Sequence, residues 1–520
     1  MRITNKIMQN NSLRNINTNK ELQSQLSIQM QTGNKLTRPS DDPVIAIRSL
    51  RLSANLTKLT QYNEKNAEDA ASWMKATEEA VYAGEALIET MYNECNRNTS
   101  DDKNTANYQA ALMNLRQSAE EFYETGDVDY GGRNVFTGYR TESKLQFKEK
   151  ENTEYRIFEE FTLGDLQTRT HINTTNPNKT TDPDGDIYGY TEANGFDVNE
   201  TMVEAQEYTR FRLAYDDLKN PPMPAPPAPP AVQDDADKLC IRYTDQNGQP
   251  QQIELKAMNS TDSGAYTPGD ADAFILVDTG EIVLGKDAVD AMSALPNTTT
   301  YTIAYEKNEW VKGDLRPEHY FDCQVTKQGP DGKDVTLDYE SGSKQKIEYD
   351  LGANQSLQVN TVAGEAYVHD VGRDVDDLEI VINQLEKLDG IVNSLEEKVA
   401  SLSEGAELDA ANLQLTAAKK AQSLVKDQVQ KLFGSTMTNM KSYQDLVNLA
   451  GTNIGTRGVR LDLIKNRLDG QQDTFKELYI NNNHKEIEDS TTELAAAKLT
   501  YDAALSATSK ILETSLMNYI

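Results

Sequence analysis

The sequence predicts an α+β multidomain protein, in which both termini form a long α-helical bundle or coiled coil and β-rich domains are inserted between them. Three observations predict this class: a heptad stripe late in the chain, looser amphipathic stripes at both ends, and a central region rich in hairpin signals. The two ends, 1–42 and 485–520, are predicted to be terminal helical core segments. A helical rod is predicted at 43–147 and 371–484. The residues between, 148–370, are predicted to form a β-rich insertion of one or two domains, with a candidate division near the proline-rich linker 221–232.

The N-terminal part is predicted to be helical because its apolar residues recur at helical spacing. The first stripe is loose and diluted by asparagine and glutamine; it consists of Leu13, Ile16, Leu22, Leu26 and Met30. Further on, Met74, Val81, Ile88 and Cys95 recur every seven residues, which is the period of helices packed on one another. We therefore expect long amphipathic helices in this part of the chain.

The stretch TRPSDDP at 37–43 interrupts the first stripe. Asp42 is well placed as an N-cap that accepts hydrogen bonds from free backbone N–H groups, and Pro43 suits the first position of a helix. Pro39 disfavours the α conformation of the residue before it, so the first helix should end near Gly33. Pro39, Asp42 and Pro43 are therefore predicted to form a joint between two helices, not a catalytic or metal site.

Glycine, asparagine, aspartate and proline are dense in the central region, where apolar residues come in short alternating runs. Three pairs of such runs flank turn signals and are predicted to be β-hairpins, at 239–255, 274–284 and 325–337. The run PPMPAPPAPP at 221–230 is interpreted as a stiff spacer about 31 Å long, in preference to a ligand for an SH3-type domain.

The C-terminal part carries the most regular pattern of the chain. Its apolar stripe alternates steps of three and four through Leu378, Val381, Leu385, Leu388, Val392, Leu395, Val399 and Leu402. After Gly405 the stripe resumes in a new register, and helical spacing continues almost to the last residue. Because neither end has another stripe of comparable length to pack on, the N-terminal and C-terminal helices are predicted to pair with each other.

Composition narrows the classes of function. The formal charge of −31 argues against a nucleic-acid partner, since phosphate contacts need basic patches. Cys95, Cys240 and Cys323 lie far apart and predict neither a disulfide framework nor a zinc module. No apolar run is long enough to span a membrane, and the N-terminus lacks the apolar core of a signal peptide. We therefore expect no membrane partner, and export, if any, without a cleaved signal.

Two motifs resemble ligand sites and are interpreted as structural. GEIVLGK at 280–286 matches seven positions of a phosphate-binding loop, but Asp287 follows where Ser or Thr should hold magnesium, so a hairpin arm is the better reading. Asp182, Asp184 and Asp186 resemble half a calcium loop, but the glycine is misplaced, which favours a solvated turn.

The one mixed cluster of chemically active side chains is His319 with Asp322 and Cys323. A lone histidine at a strand edge explains this cluster more simply than a metal site does. With no catalytic signature elsewhere, we expect no enzymatic activity, no cofactor and no bound metal.

The terminal stripes remain as candidates for function. Burying a leucine contributes about 1.5–3 kcal/mol, whereas ordering each residue costs about 1–2 kcal/mol. A sparse pair of terminal helices should therefore be disordered or marginal in the monomer and ordered when neighbouring copies cover it. The hypothesised assembly interface consists of Leu13, Ile16, Leu26, Met30, Leu494, Tyr501, Leu505, Leu512 and Leu516.

Several segments resemble the hook–filament junction family of the bacterial flagellin superfamily. They are MRITNKIMQNNSLRNIN at 1–17, LSIQMQTGNKLTRPSDDPVIAIRSLRL at 26–52, GGRNVFTGYRTE at 131–142, TRGVRLDLIKNRLDG at 456–470 and LAAAKLTYDAALSATSKILETSLMNYI at 494–520. Flagellins usually carry an INSAKDDAAG-like turn where this chain has TRPSDDPVIA, so the filament subunit itself is the alternative and the junction family is favoured.

The resemblance implies a non-enzymatic structural subunit of the bacterial flagellum. Members of this family are exported unfolded through the flagellar type III apparatus, with an export chaperone and an uncleaved N-terminal signal. They self-associate as a ring between the first hook-associated protein and flagellin, outside the cell. Their terminal helices form an inner core and the variable centre projects outward. A secreted enzyme with coiled-coil ends is the alternative from a different class.

Overall fold

The computed structural model describes residues 5–100, 103–176, 178–179, 185–219, 239–328 and 334–517, and the side chains after residue 510 lie outside that description. The helices are α1 (Asn5–Thr32), α2 (Pro43–Thr60), α3 (Glu68–Arg97), α4 (Thr105–Thr125), α5 (Lys286–Ser293), α6 (Ala363–Ala366), α7 (Asp370–Ser401), α8 (Ala406–Asn483) and α9 (Ile487–Met517). A π-helical segment, Gln61–Ala67, connects α2 to α3.

The strands fall almost entirely between α4 and α7. They are β1 (Asp129–Tyr130), β2 (Arg133–Asn134), β3 (Glu154–Phe161), β4 (Gln167–Asn173), β5 (Glu204–Arg212), β6 (Cys240–Thr244), β7 (Pro250–Glu254), β8 (Lys256–Met258), β9 (Ala273–Leu276), β10 (Glu281–Leu284), β11 (Tyr301–Lys307), β12 (Asp322–Gln328), β13 (Asp334–Tyr339), β14 (Glu348–Gly352) and β15 (Gln355–Gln358). The predicted α+β class, with long helices at both ends and a β-rich centre, is confirmed.

The predicted stripes of α3 and α7 form the buried faces of those two helices. Leu378, Leu385, Leu388 and Leu395 of α7 are buried, as is the seven-residue repeat Met74, Val81, Ile88 and Cys95 of α3. Gly405, at φ +156°, separates α7 from α8, which is the predicted break between two registers. The spacing of apolar residues therefore located these helices correctly.

The three predicted hairpins are confirmed. Strands β6 and β7 pair antiparallel around Asn247-Gly248, β9 and β10 pair around Asp278-Thr279-Gly280, and β12 pairs antiparallel with β13. Gly248 and Gly280 have φ of +76° and +65°, the left-handed conformation that glycine adopts at low cost. The proline-rich run at 221–230 lies outside the described residues.

The strands form two larger sheets whose order does not follow the sequence. The five-stranded sheet runs β4-β5-β10-β9-β8, with only β8 and β9 parallel, and the six-stranded sheet runs β13-β12-β3-β11-β6-β7. One buried apolar cluster draws residues from both, including Phe161 stacked on Phe211 at 5.0 Å. The hairpins are thus joined into sheets by strands far apart in the sequence.

The chain divides into two compact units. The terminal unit comprises Met1–Ala71, Tyr349–Leu357 and Gly458–Ile520, and the central unit comprises Ser72–Glu348 and Gln358–Arg457. Within the described residues, no helix combines the length and the apolar character needed to cross a bilayer. The three-part division predicted from the sequence stays a prediction.

Candidate assembly site

The joint between α1 and α2 is built by two neighbouring aspartates that cap backbone N–H groups. The side chain of Asp42 accepts hydrogen bonds from Val44 N at 2.9 Å and Ile45 N at 3.1 Å, so it lies at the N-cap of α2 with Pro43 in the first turn. The side chain of Asp41 accepts from Arg38 N at 2.8 Å and closes the turn before it. Both carboxylates are therefore engaged in shaping the backbone.

The first half of the joint pairs with the connection between α8 and α9. Gly33, at φ +68°, ends α1 in the left-handed conformation and turns the chain towards that connection. Asn34 and His484 form an antiparallel bridge, with Lys35 N donating to Asn483 O at 2.7 Å and Lys485 N donating to Gly33 O at 3.0 Å. The two chain ends are thus hydrogen-bonded at the point where each changes direction.

Side chains reinforce this pairing from both ends of the chain. Gln29 is buried, donates to Lys35 O at 2.6 Å and accepts from Lys485 Nζ at 3.3 Å. Lys485 also forms an ion pair with Glu493 on α9. The second half of the joint is held by α8, because Asn483 Nδ2 donates to Ser49 Oγ of α2 at 2.7 Å. Helices α1, α2, α8 and α9 consequently meet around a single polar joint.

Helices α1 and α9 contact each other in the terminal unit, as predicted from their stripes. Leu26 on α1 and Ala497 on α9 are buried. The hydroxyl oxygen of Thr491 on α9 also lies 3.9 Å from the sulfur of Met30 on α1. The remaining members of the hypothesised interface are less covered: Leu13 and Leu505 are exposed, and Ile16, Leu494 and Tyr501 are half-buried. The side chains of Leu512 and Leu516 lie outside the description, and the interface stays a hypothesis.

An apolar face on α2 was missed by the sequence analysis. Val44, Ile47 and Leu50, three residues apart, are 67%, 54% and 70% exposed, and no residue of α2 is buried. Ile45, Leu52, Leu56 and Leu59 also recur at helical spacing, on another face of α2. The sequence pattern does show this second face, because apolar residues occur on more than one side of α2. Such a helix has more than one surface that can pack against a partner.

The motifs that resembled ligand sites are structural where they are described. Residues 281–284 of GEIVLGK form β10, so the predicted hairpin arm is confirmed. Asp186 accepts from Tyr188 N at 3.2 Å and from Thr174 Oγ1 at 2.8 Å in a turn, while Asp182 and Asp184 lie outside the described residues. Among the residues that are described, no group of three His, Cys, Asp or Glu side chains is arranged to hold a metal ion.

The interpretation of His319 as a strand-edge residue was wrong. His319 lies in a short 3-10 turn, Pro317–His319, before β12 and is buried, with Nε2 at 3.2 Å from Ser143 Oγ and 3.1 Å from Lys144 O. Burial lowers the pKa of His319 to about 4, so the ring is neutral. Cys323 is buried nearby as a free thiol. The sequence could not show this burial because the packing partners come from residues before β3.

A buried ionic cluster in the central unit was also missed. We call it the Arg–Asp network: Arg210 and Arg212 of β5 with Asp370, Asp374 and Asp377 of α7. Arg212 lies 2.6 Å from Asp374 and 3.0 Å from both Asp370 and Asp377, and Arg210 pairs with Asp377 and with Glu281 of β10. Asp370, Asp374 and Asp377 are spaced by four and three residues, which places them on one face of α7. This spacing is the sequence pattern from which an acidic helix face could have been predicted.

Electrostatics within this network favour the ionised form of Asp377. Burial alone would raise the pKa of Asp377, but the guanidinium groups of Arg210, Arg212 and Arg169 together lower it below the usual value. The carboxyl group of Glu159, elsewhere in the central unit, behaves in the opposite way. Burial raises its pKa to about 8, despite the hydrogen bonds that it accepts from Tyr305 and from Ala214 N. Because their pKa values differ from the ordinary ones, both carboxyl groups contribute to the pH dependence of stability.

Comparison with known proteins finds one family model and two relatives that match part of this chain. Residues 3–141 match the family model of the bacterial flagellin N-terminal helical region. The flagellar hook-associated protein 3 of Salmonella typhimurium is 28% identical over 147 residues, which cover 28% of this chain and 45% of that protein. The protein of the same name from Escherichia coli is 28% identical over 155 residues, covering 29% and 47%. The chain thus spans just under half the length of these two relatives.

Two solved structures that match this chain come from two other bacteria. A Xanthomonas campestris FlgL structure has a TM-score of 0.30 at 10% identity, covering 82% of this chain and 98% of that one. The flagellar junction protein FlgL of Legionella pneumophila has a TM-score of 0.24 at 8% identity, covering 78% and 99%. The resemblance inferred from the sequence is confirmed by the sequence matches: residues 3–141 match the model of the bacterial flagellin N-terminal helical region, and part of the chain is similar to flagellar hook-associated protein 3.

Proposed function

We propose that this chain is a structural, non-enzymatic subunit of the bacterial flagellum that joins the hook, through the first hook-associated protein, to the flagellin filament. The observation that carries the proposal is the similarity of part of this chain, over about 150 residues, to two proteins named flagellar hook-associated protein 3. The subunit acts outside the cell at the hook–filament junction. It reaches that place through the flagellar type III export apparatus, with an export chaperone and without a cleaved signal.

The proposed mechanism is self-association of the chain in a ring, with the terminal helices as the contacting surfaces. The support is the large amount of apolar surface that the described residues of the terminal unit leave exposed. This surface includes Ile7, Met8, Leu13, Leu22, Ile28, Val44, Ile47, Leu50, Val459, Leu463, Leu478, Ile480, Ile487, Leu499 and Leu505. These side chains lie on α1, α2, α8 and α9, and exposed apolar residues gathered on one surface mark protein–protein interaction sites.

A strain that lacks the corresponding gene tests the proposal. We expect hooks without filaments and flagellin monomers in the medium, with filaments restored when the full chain is supplied. Normal filament growth in the deletion strain would contradict a junction role. Labelled antibody separates the main proposal from its alternative, because a junction subunit is found only at the filament base whereas a filament subunit is found along the whole length.

Substitutions test the ring contact without unfolding the chain. Leu13→Asp and Leu505→Asp place a charge on exposed positions of α1 and α9, so the monomer should fold while filament growth fails. Met113→Asp on α4 is the matched control, because Met113 is also exposed but lies in the central unit. If all three variants supported normal filaments, the terminal helices would not be the contacting surfaces.

A further inference from the structure

Helix α2 presents an exposed side that is both basic and apolar. The side chains on it, which we call the α2 face, are Val44, Ile47, Arg48, Leu50, Arg51 and Lys58. Helix α2 contains no acidic residue, and none of these three basic side chains has an ion-pair partner among the described residues. The α2 face is therefore positively charged, although the chain as a whole has a formal charge of −31.

The α2 face points away from α8, because α2 packs on α8 with its other side. Asn483 Nδ2 of α8 donates to Ser49 Oγ at 2.7 Å. Further along the same contact, Gln472 Nε2 of α8 donates to Thr60 Oγ1 at 3.3 Å. At about 3.6 residues per turn, Ser49 and Thr60 share one side of α2, and the α2 face lies on the opposite side. The contact with α8 therefore leaves the α2 face uncovered.

The part of α8 that belongs to the terminal unit presents an exposed side that is acidic and apolar. The side chains on it, which we call the α8 face, are Val459, Asp462, Leu463, Asp473, Glu477 and Ile480. At about 3.6 residues per turn they fall within about one third of the helix circumference, and no lysine or arginine falls within that third. None of the three carboxylates has an ion-pair partner among the residues that the structure describes. The α8 face therefore carries uncompensated negative charge.

The two faces are complementary in charge, apolar content and length. Each combines three apolar side chains with three charges of one sign, positive on the α2 face and negative on the α8 face. At about 1.5 Å per residue, the α2 face is about 21 Å long and the α8 face about 32 Å long, so the first fits within the second. Opposite charges favour association of the two different faces, and like charges disfavour the pairing of either face with itself. Since the two faces point away from the contact between α2 and α8 in one copy, they can meet only between copies.

We propose that the α2 face of one copy docks on the α8 face of the next copy. The inference rests on the proposed self-association and names the two surfaces that make it. A contact between two different surfaces is head-to-tail, so it repeats from copy to copy and closes into a ring when the rotation allows. With the ring axis along the helices, α2 of one copy is antiparallel to α8 of the next. This direction brings Arg51 opposite Glu477 when Ile47 packs on Ile480.

Charge reversal tests the pairing in a strain that lacks the gene and is supplied with variants of the full chain. Arg51→Glu and Glu477→Arg each place like charges in the contact, so each should lose filament growth, and the chain with both substitutions should regain it. Both positions are exposed, and a folding defect caused by one substitution would not be repaired by the other. Arg460→Glu is the matched control, because it reverses the charge at an exposed position of α8 outside the α8 face, and filaments should persist.

The outcomes separate this inference from the proposed function. Normal filaments in the strain without the gene would contradict the proposed function itself. If that strain lacks filaments but both single variants support normal ones, the junction role stands and the docking of the α2 face on the α8 face is overturned. A chain with both substitutions that grows no more filaments than the single variants would overturn it as well.

Crosslinking distinguishes the head-to-tail contact from a symmetric one. In isolated hook–filament junctions, a flexible bis-maleimide should join chains that carry both Ile47→Cys and Ile480→Cys into a ladder of dimers and larger species. Chains with only one of these substitutions should stay monomeric, because the contact then holds a single reactive thiol and the three native cysteines are buried. Crosslinked dimers from either single variant would mean that a face contacts itself. That result, or monomers alone from the double variant, would overturn the proposal.

Discussion

Replacing Arg212 by methionine should destabilise the central unit by about 3–5 kcal/mol, the usual cost of removing one partner from a buried ion pair. Arg212 and Asp374 are 2% and 1% exposed at the side chain, and their nitrogen and oxygen lie 2.6 Å apart. Without Arg212, Asp374 would keep only neutral donors, Asn439 Nδ2 at 2.9 Å and Tyr443 Oη at 3.0 Å. A buried carboxylate would thus lose the one ion-pair partner that the described structure gives it.

Arg116→Met provides the matched control for this prediction. Arg116 also pairs with two carboxylates, Asp376 and Glu379, but its side chain is exposed, and solvent-exposed ion pairs contribute only about 0–1 kcal/mol. Both variants remove one positive charge and introduce the same side chain, so their difference measures the effect of burial.

Tryptophan fluorescence during urea unfolding isolates the relevant unit. The two tryptophans of the chain, Trp73 and Trp310, are both buried and both belong to the central unit. The midpoint for Arg212→Met should fall well below that of the unsubstituted protein, and the midpoint for Arg116→Met should stay close to it. Similar midpoints for the two variants would refute the reasoning, because burial would then have no measurable effect on how much these ion pairs contribute to the free energy of unfolding.

Four further outcomes are expected. Asp42→Ala should cost about 1 kcal/mol and speed amide exchange in the first turn of α2, whereas Ser40→Ala, which removes no cap, should not; equal rates would contradict the capping role. Because the pKa of Glu159 rises from 4.5 to about 8 on folding, its contribution to stability is full below pH 4.5 and lost as the pH approaches 8. Fluorescence unfolding should show that decline, and Glu159→Gln should abolish it. Amide exchange at residues 1–35 should be fast in the free monomer, and strong protection there would exclude a marginal terminal pair. Removing residues 511–520 should leave the central unit folded but block incorporation into the flagellum, so normal filaments from the truncated chain would refute that role.

The parts of the fold that local sequence patterns specify were predictable. The seven-residue spacing in α3 and the stripe in α7 identified buried helix faces, because side-chain direction repeats with the helical turn. Asn247-Gly248 marked a hairpin because few residues other than glycine adopt the backbone conformation that its turn requires. The N-cap at Asp42 was also predictable, because an aspartate just before a proline at a helix start accepts hydrogen bonds from backbone N–H groups only a few residues away.

The candidate site was only partly predictable. The polar residues of the joint were recognised as a boundary between helices, but the bridge between Asn34 and His484 was not, because it joins segments from opposite ends of the chain. The exposed face of α2 at Val44, Ile47 and Leu50 was missed because α2 also carries apolar residues at helical spacing on another face. Burial depends on which face finds a partner, and periodicity alone does not specify that.

The sequence by itself determined the order of helical and β-rich regions, the positions of the main turns and the family that the N-terminal helices resemble. Only the tertiary structure decided the strand order of the two sheets, the Arg–Asp network between β5 and α7, and which faces of α2 and α8 stay exposed. The physical reason is how far apart in the sequence the interacting residues lie. Turns, caps and helical periodicity act over a few residues, whereas burying a charge or closing a sheet requires partners that folding brings together from more than a hundred residues away.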